Sequence, residues 1–597
     1  MITIKIEKSI TEALDKAKIE YSQEDILVEP TSSIDKGDYT TNIAMRLASK
    51  NKQNPNEIAQ AIKNSIECGY EIEKVEVAGP GFINFFLSDR YLLTQIKQIL
   101  DQGAKQYLQS DIKNDKKVLI EYTDANPFKV LHIGHLYTNT VGESFSRLQE
   151  IIGANVKRAN YQGDIGLHVA KTMWGIEKLL KEKNQDFKDI EELELYKKVE
   201  FLGEAYMTGA EYYDDIQDKD AIEEIKNINY YLFQKITPSI PKKDFKALEG
   251  SDMEQWYRKG RMWCLDYFET IYKALGTHFD YYFFESEVGE IGYEMVKENI
   301  GEIFKEDDGA VIYEGDSEKG LHTRVFITQS GLPTYEAKEL GLAKAKSEKG
   351  KWDESIIITD KSQGPYFKVV SDVLSTLMTE YAKAFKHIAH GVVALPGMKK
   401  MSSRKGEVVS AEELIGLTQK AVKKLMIESQ KGLDEDEIEK NSKIIAIASI
   451  KYAFLRVGVG KNLVFDINKD IQFEGDTGPY LLYVYTRAKS IIDDSDDQLN
   501  SSVCIGGCLS NVNTKVLVRK ISKTRGVVLS SSLGYSPSTL CTYLFELGQS
   551  FNSFYNEVNV LNAPEEERQL LLAIVECTAQ IMKEGLELLG IKTVSSM

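Results

Sequence analysis

The chain has 597 residues, a formal net charge of −17, and 42% hydrophobic and 28% charged residues. That length exceeds what one core fills, so three or more domains are expected, and the balance excludes a disordered chain. The acidic total excludes promiscuous polyanion binding but not a shaped RNA site, because binding depends on local patches such as Lys399, Lys400, Arg404 and Lys405.

In chain order, Met1-Ile2-Thr3-Ile4-Lys5-Ile6-Glu7 alternates polar and apolar without the apolar core of a secretion signal. Residues 1–103 read as a small α+β unit, with helices over Thr41–Lys52 and Asn56–Glu67. The strand Phe82–Leu87 follows the turn Gly79-Pro80-Gly81. A polar linker ends at 117, where Val118-Leu119-Ile120-Glu121-Tyr122 starts a buried strand. A loop, a helix over Ile133–Ile152 and a strand near Val156–Tyr161 follow, the opening of a doubly wound parallel sheet. The charged stretch near 177–262 reads as a helical insertion. Alternation resumes with the strand Arg324–Ile327, a helix after Pro333, the strand Ser355–Thr359, a helix over Pro365–His387 and the strand Gly391–Leu395. This α/β domain spans 117–406. Residues 407–597 read as all-helical, with helices over Lys443–Leu455, Thr477–Ile492, Leu540–Tyr555 and Glu565–Leu589. No apolar run of about 18 residues is present, so no membrane partner is expected. Of six cysteines only Cys504 and Cys508 lie close, with no second pair or histidine cluster beside them. Reduced thiols in a cytoplasm, and no structural metal, are expected.

Two short motifs carry chemistry. His132-Ile133-Gly134-His135 stands between the first strand and the first long helix of the sheet, at the edge where ligands bind. A helix start presents free N–H groups to phosphate, and imidazoles three apart can both face it. Glycine between them removes a side chain where a flat base must approach. The second motif is Lys400-Met401-Ser402-Ser403-Arg404-Lys405-Gly406. Cations on a loop rich in Gly and Ser suit a charge that builds during reaction, because closure brings them in. Alone, the first reads as an ordinary polar helix start and the second as a solvated basic loop.

Together, in this order on a doubly wound scaffold with a helical domain behind, they resemble the paired signatures of class I aminoacyl-tRNA synthetases. Further stretches resemble the arginyl-tRNA synthetases of that class. They are Glu121–Lys129, Gly331-Leu332-Pro333-Thr334-Tyr335, Gln363–Val370 and Phe473–Tyr480. Gly37–Ala44 and Ala78–Asn84 resemble that family's extra N-terminal domain. The resemblance spans essentially the full chain and is weakest in the insertion and around Asp497–Leu533. It implies a Rossmann-like catalytic domain with a helical insertion, an N-terminal domain that binds the tRNA D-loop, and a helical anticodon-binding domain.

It also implies roles. Glu121 and Asn126 would hold the α-ammonium and backbone end of L-arginine, and Tyr335 and Glu339, with Gln363 nearby, would meet the guanidinium. The family usually has Asp where this chain has Glu339. His132 and His135 would contact ATP phosphates, Gly134 would admit adenine, and Lys400, Met401, Ser402 and Ser403 would lie over pyrophosphate. Ser403 stands where the class signature has a second lysine. Lys129 is the family's substitute, sharing charge stabilisation with Lys400 and assisted by Arg404 or Lys405. Mg²⁺ is expected with ATP, held by phosphate oxygens and water. For tRNA, Tyr480, Tyr483 and Arg487 form a candidate anticodon face, although Tyr480 and Tyr483 also have the spacing of core residues. Asn84 and Phe86 are candidates for the D-loop. A monomer is expected. Another class I synthetase, a non-catalytic tRNA-binding paralogue and a small-molecule nucleotidylyltransferase are the competing readings. Cysteines near either motif would favour the cysteinyl enzyme, and there are none.

Overall fold

The computed structural model describes residues 2–31, 34–245, 248–249, 252–397, 409–428, 434–495 and 509–597. Its first element corrects the opening alternation. Ile2–Ala17 is a helix, because Ile2, Ile6, Ile10 and Leu14 recur at helical spacing and are all buried while Ile4 is exposed. Four antiparallel strands follow: β1 (Glu29–Pro30), β2 (Tyr39–Thr41), β3 (Ile72–Ala78) and β4 (Phe82–Leu87), in the order β1-β2-β4-β3. Helices Ile43–Asn51 and Pro55–Ser65 lie between β2 and β3. Pro55 occupies the first turn of the second helix, and Asn54 caps it by accepting from the Asn56 N–H.

The central sheet comprises β5 (Lys117–Glu121), β6 (Asn155–Gln162), β7 (Tyr281–Phe284), β11 (Glu354–Asp360) and β12 (Phe385–His390). All pairings are parallel and the order is β12-β11-β5-β6-β7. From β5 the chain builds outward on one side and then returns to build on the other. The reversal falls between β5 and β11, which is where a doubly wound sheet opens a binding crevice. The Ile133–Ile151 helix makes the first crossover.

Two sequence expectations change here. Arg324–Ile327 is a strand, but it belongs to a separate antiparallel sheet, β10 beside β9 (Ala310–Tyr313) and β8 (Lys305–Asp307). Its Val325 is 41% exposed, whereas Ile356, Ile357 and Ile358 of central β11 are at most 1% exposed. A strand covered on both faces by helices has no room for an exposed valine. The sheet's edge strand on that side is β7, whose Tyr-Tyr-Phe-Phe carries no aliphatic run. The helix expected over Pro365–His387 ends earlier, as Gly364–Leu377 and Thr379–Ala384, and Phe385–His390 instead forms the opposite edge of the sheet.

Between β6 and β7 the described residues are mainly helical, as Leu167–Lys183, Leu195–Ala210, Lys219–Ile236 and Met253–Leu275. After the short β13 (Val393–Ala394), paired with β14 (Leu463–Val464), the remaining described residues are mainly helical. Its helices include Ala411–Glu428, Glu435–Leu455, Gly478–Asp493, Val512–Leu533, Pro537–Glu557 and Glu565–Leu588. Lys451 joins this part to the central domain, its ammonium donating to the carbonyls of Leu275 (2.6 Å) and Gly590 (2.7 Å). The N-terminal unit rests on the same helical part through a buried ion pair, Asp38–Arg519, at 3.2 Å. Among the described residues no helix is long and apolar enough to cross a membrane.

Candidate active site

A cavity of about 870 Å³ occupies the crevice at the carboxyl ends of β5 and β11. Its floor is the segment after β5, where Thr123 (φ 81°), Asp124 (φ 49°) and Phe128 (φ 67°) adopt left-handed backbone. Each costs roughly 1–2 kcal/mol for an L-residue, so the surroundings must hold it. Asn139 donates to Thr123 Oγ1 (3.0 Å), the Tyr161 N–H donates to Asp124 Oδ1 (3.0 Å), and the Phe128 N–H donates to Cys264 Sγ (3.2 Å). The contorted chain turns Glu121, Asp124 and Asn126 toward one space.

His132 caps the Ile133–Ile151 helix. Its Nδ1 accepts from the Gly134 N–H (3.0 Å), and the His132 N–H donates to Nδ1 of His135 (3.2 Å). Both rings therefore carry their proton on Nε2. Their centroids lie 3.9 Å apart. Burial, and then the charges of Lys129 and other neighbours, hold both rings neutral: His132 falls to about 4 and His135 well below the ordinary histidine range. The pair is thus a fixed set of neutral N–H donors at a helix start, a good receptor for phosphate oxygens. A Cβ on Gly134 would stand 2.8 Å from His132 Cε1, so glycine also lets the ring fold over the helix end.

At the other end of the cavity lie carboxylates. Glu121 pairs with Lys346 at 2.7 Å, Glu336 with Arg324 at 3.2 Å, and Glu285 with Lys338. Asp124 and Glu339 line the cavity and have no ion-pair partner among the described residues. Glu339 is 6% exposed, not the solvated helix carboxylate its charged neighbours suggest. Burial, only partly offset by Lys346 and reinforced by Glu121, pushes its carboxyl up to about 8. Burial and the charge of Glu121 likewise raise Asp124 well above the carboxylate range. A buried and a half-buried acid facing one cavity form a site that a cationic ligand completes. Asn126 accepts the Gly163 N–H on Oδ1 (3.1 Å), which leaves its amide nitrogen as the group it presents to a ligand.

The remaining expected residues divide. Tyr335 is 61% exposed at the rim, with the Lys338 ammonium 4.4 Å from its ring centroid, and exposed Gln363 also lies on the rim. Lys129 lines an adjoining cavity of about 400 Å³ that shares Asn126, His132 and His135 with the first. Its ammonium lies 5.1 Å from the Tyr206 ring centroid. Lys400, Met401, Ser402, Ser403, Arg404 and Lys405 lie outside the described residues; Ser410, just beyond them, is bridged to the backbone of His132. Asp124, Tyr161, Glu285, Lys346 and Tyr366 carry no assigned role in the sequence reading. Asp124 and Tyr366 sit inside recognised stretches, but Lys346 lies in a lysine-rich run that reads as solvated surface.

Of the residues expected to meet RNA, Tyr480 is a core residue. It is 8% exposed, packs edge-on against Phe545 and receives a hydrogen bond from Asn552 (3.0 Å). Arg487 lies between the rings of Tyr483 (4.5 Å) and Tyr555 (4.6 Å), beside a surface cavity of about 780 Å³. Asn84 and Phe86 are each 7% exposed; Asn84 receives the Thr40 hydroxyl at 2.7 Å, and Lys74 covers the Phe86 ring.

The crevice of a doubly wound sheet, with paired neutral histidines at a helix start, defines a class I tRNA synthetase catalytic domain. The family model described as tRNA synthetases class I (R), catalytic domain, matches residues 95–467. The arginyl tRNA synthetase N-terminal domain matches 5–87, and the DALR anticodon binding domain matches 481–597. The chain is 31% identical over 576 residues to the arginine–tRNA ligase of Fusobacterium nucleatum, covering 94% of this chain and 93% of that one. It is 28% identical over 599 residues to that of Shewanella sediminis, covering 96% and 95%. The chain belongs to the arginyl-tRNA synthetase family, the arginine–tRNA ligases. Its fold matches the Thermus thermophilus arginyl-tRNA synthetase with a TM-score of 0.79 at 21% identity, covering all of both chains.

Proposed function

We propose that this chain activates L-arginine with ATP and transfers it to tRNA, in the cytoplasm and as a monomer, with the cavity between β5 and β11 holding arginine and ATP together. The observation that carries the reading is Glu339, a buried carboxylate without an ion-pair partner among the described residues, on the wall that also bears Tyr335. A guanidinium supplies the missing charge and a planar fork of donors. Glu339 accepts it, with Tyr335 and Gln363 closing from the rim. Asp124 and Glu121 receive the α-ammonium, and the Asn126 amide donates to the carboxylate.

At the other end His132 and His135 donate from Nε2 to the phosphates, and Gly134 admits the base. The arginine carboxylate attacks the α-phosphate and pyrophosphate leaves; a ribose hydroxyl at the tRNA terminus then displaces AMP. Both nucleophiles belong to substrates, so the protein aligns them and stabilises charge developing on phosphate. Lys129 supplies cationic charge beside the histidines. Lys400, Met401, Ser402, Ser403, Arg404 and Lys405 cover pyrophosphate, and Mg²⁺ arrives with ATP. Tyr483 and Arg487, with Tyr555, form the face for anticodon bases, and Tyr480 supports it from beneath. Asn84 and Phe86 back the surface that meets the D-loop. Residues 1–103, 117–406 and 407–597 divide this work as RNA elbow, chemistry and anticodon arm.

The test is ATP–pyrophosphate exchange across the twenty amino acids, with and without tRNA. Exchange driven by arginine alone is expected. Exchange driven by another amino acid and not by arginine overturns the reading.

A further inference from the structure

Lys346 stands two helical turns beyond Glu339 on the Tyr335–Lys349 helix, and its ammonium reaches Glu121 at the end of β5 at 2.7 Å. The two side chains are 1% and 2% exposed. Lys346 is not among the residues lining the cavity, whereas Glu121 and Glu339 are. Its backbone is held as well, the Trp352 indole donating to its carbonyl at 2.8 Å. The lysine is therefore a strut behind the site, linking the strand that presents Glu121 to the helix that presents Tyr335 and Glu339.

Its charge matters as much as its reach. Glu121 faces it from β5, Asp124 from the loop beyond, Glu339 from its own helix and Tyr381 from the Thr379–Ala384 helix; Tyr366 meets it only through Glu339. When all three acids are ionised, three carboxylates and one ammonium leave two negative charges. That complement suits a ligand with two cationic groups, an α-ammonium and a guanidinium. Without the lysine, three crowded carboxyl groups repel one another and hold protons more tightly, and a protonated acid no longer attracts a cation.

We propose that Lys346 is a positioning residue that sets the spacing and charge of the amino-acid end of the cavity, and so its selectivity for a dicationic amino acid. The proposal rests on reading the cavity as an arginine site. Lys346 touches no substrate; it acts through Glu121 and Glu339.

The test uses the full-length chain with Lys346→Met and Lys346→Arg, assayed by ATP–pyrophosphate exchange in the presence of tRNA. Lys346→Met is expected to raise KM for arginine roughly 10- to 100-fold while KM for ATP stays within about threefold. Raising the pH should lower that KM again as the acids ionise, with a midpoint above that of the unmodified chain. Lys346→Arg, which keeps the charge, should recover most of the loss. Because a lone buried Glu121 can prevent folding, Lys346→Met/Glu121→Gln is assayed beside it. This pair keeps two net negative charges but removes a carboxylate placed against the α-ammonium, so it is compared with Glu121→Gln alone. Because Lys346 acts through Glu121, removing the lysine in that background should raise KM for arginine far less than about 10-fold. Unchanged KM for arginine in folded Lys346→Met overturns the proposal, as does a full further rise of roughly 10- to 100-fold on removing Lys346 from Glu121→Gln. So does a parallel rise in both KM values with no pH recovery, which marks a merely structural lysine. The unmodified chain separately reports which amino acid drives exchange. If it is not arginine the parent reading fails, while the variant-to-parent ratio for the amino acid that does drive exchange still tests Lys346.

Discussion

Glu339 is where the chemistry of one side chain decides the behaviour of the site. Its carboxyl is raised to about 8, chiefly by burial. Below that pH the unliganded site holds it protonated, and a guanidinium must displace the proton to bind. Arginine affinity should therefore rise with pH up to about 8, with close to one proton released from Glu339 per arginine bound at pH 7 and a further release from Asp124, which is raised as well. Calorimetry in buffers of different ionisation enthalpy measures that proton; heats independent of the buffer would contradict a protonated Glu339. For the unliganded fold the sign is opposite. A raised carboxyl favours the folded state at low pH, and the contribution is lost between the ordinary carboxylate range near 4.5 and about 8. The spacing of Tyr335 and Glu339, one turn apart, is legible in the sequence. The burial is not, because Glu336-Ala337-Lys338-Glu339 has the composition of a solvated helix face. Its charges are buried because helix Glu285–Glu298 packs on that face and pairs Glu285 with Lys338.

Among elements, the segment after β5 and the Met253–Leu275 helix form one unit. Phe128 sits in left-handed backbone immediately before Lys129, with its ring stacked on Tyr257 (5.8 Å between centroids) and its N–H bound to Cys264. The helix passes so close that a Cβ on Gly260 would lie 2.7 Å from Phe128 Cε1. Gly260→Ala should push that ring away, cost about 1–3 kcal/mol as overpacking and displace Lys129. The expected result is a fall in kcat for exchange with KM for arginine little changed. A variant of lower stability but full kcat would show that the helix supports the fold without aiming Lys129. This dependence was hidden in the sequence, where the insertion reads as charged helix and nothing marks Gly260 or Cys264. Periodicity serves well where burial is one-sided, as in Pro55–Ser65, whose buried residues are Ile58, Ala59 and Ile62. It fails at the edges of the sheet, where β7 and β12 are aromatic or half-polar and resemble neighbouring elements.

At the scale of the whole molecule, the chain's two ends close on each other. Asp38, in the N-terminal unit, and Arg519, on the Val512–Leu533 helix, are 1% and 7% exposed and form an ion pair 481 residues apart in sequence. Asp38 lies in a stretch that the sequence marks as significant, but its partner lies where the family resemblance is weakest. A contact between distant segments leaves no local pattern in either. Burial raises the Asp38 carboxyl, while the Leu87 N–H at 2.8 Å and Arg519 oppose the rise. Arg519→Met should strand that carboxylate and weaken docking of the N-terminal unit by about 3–5 kcal/mol. The measurement is limited proteolysis between the N-terminal unit and β5, followed at pH 8 and pH 5. With Arg519 gone the Asp38 carboxyl rises further, so the folded state gains stability as pH falls and loses it as pH rises. Cleavage should be fast at pH 8 and slow at pH 5 relative to the unmodified chain, and Asp38→Asn with Arg519→Met should restore resistance at both. Resistance unchanged at pH 8 in the single variant would mean that the interface is held by the apolar packing of Asp89–Gln102 against the C-terminal helices, and not by the pair.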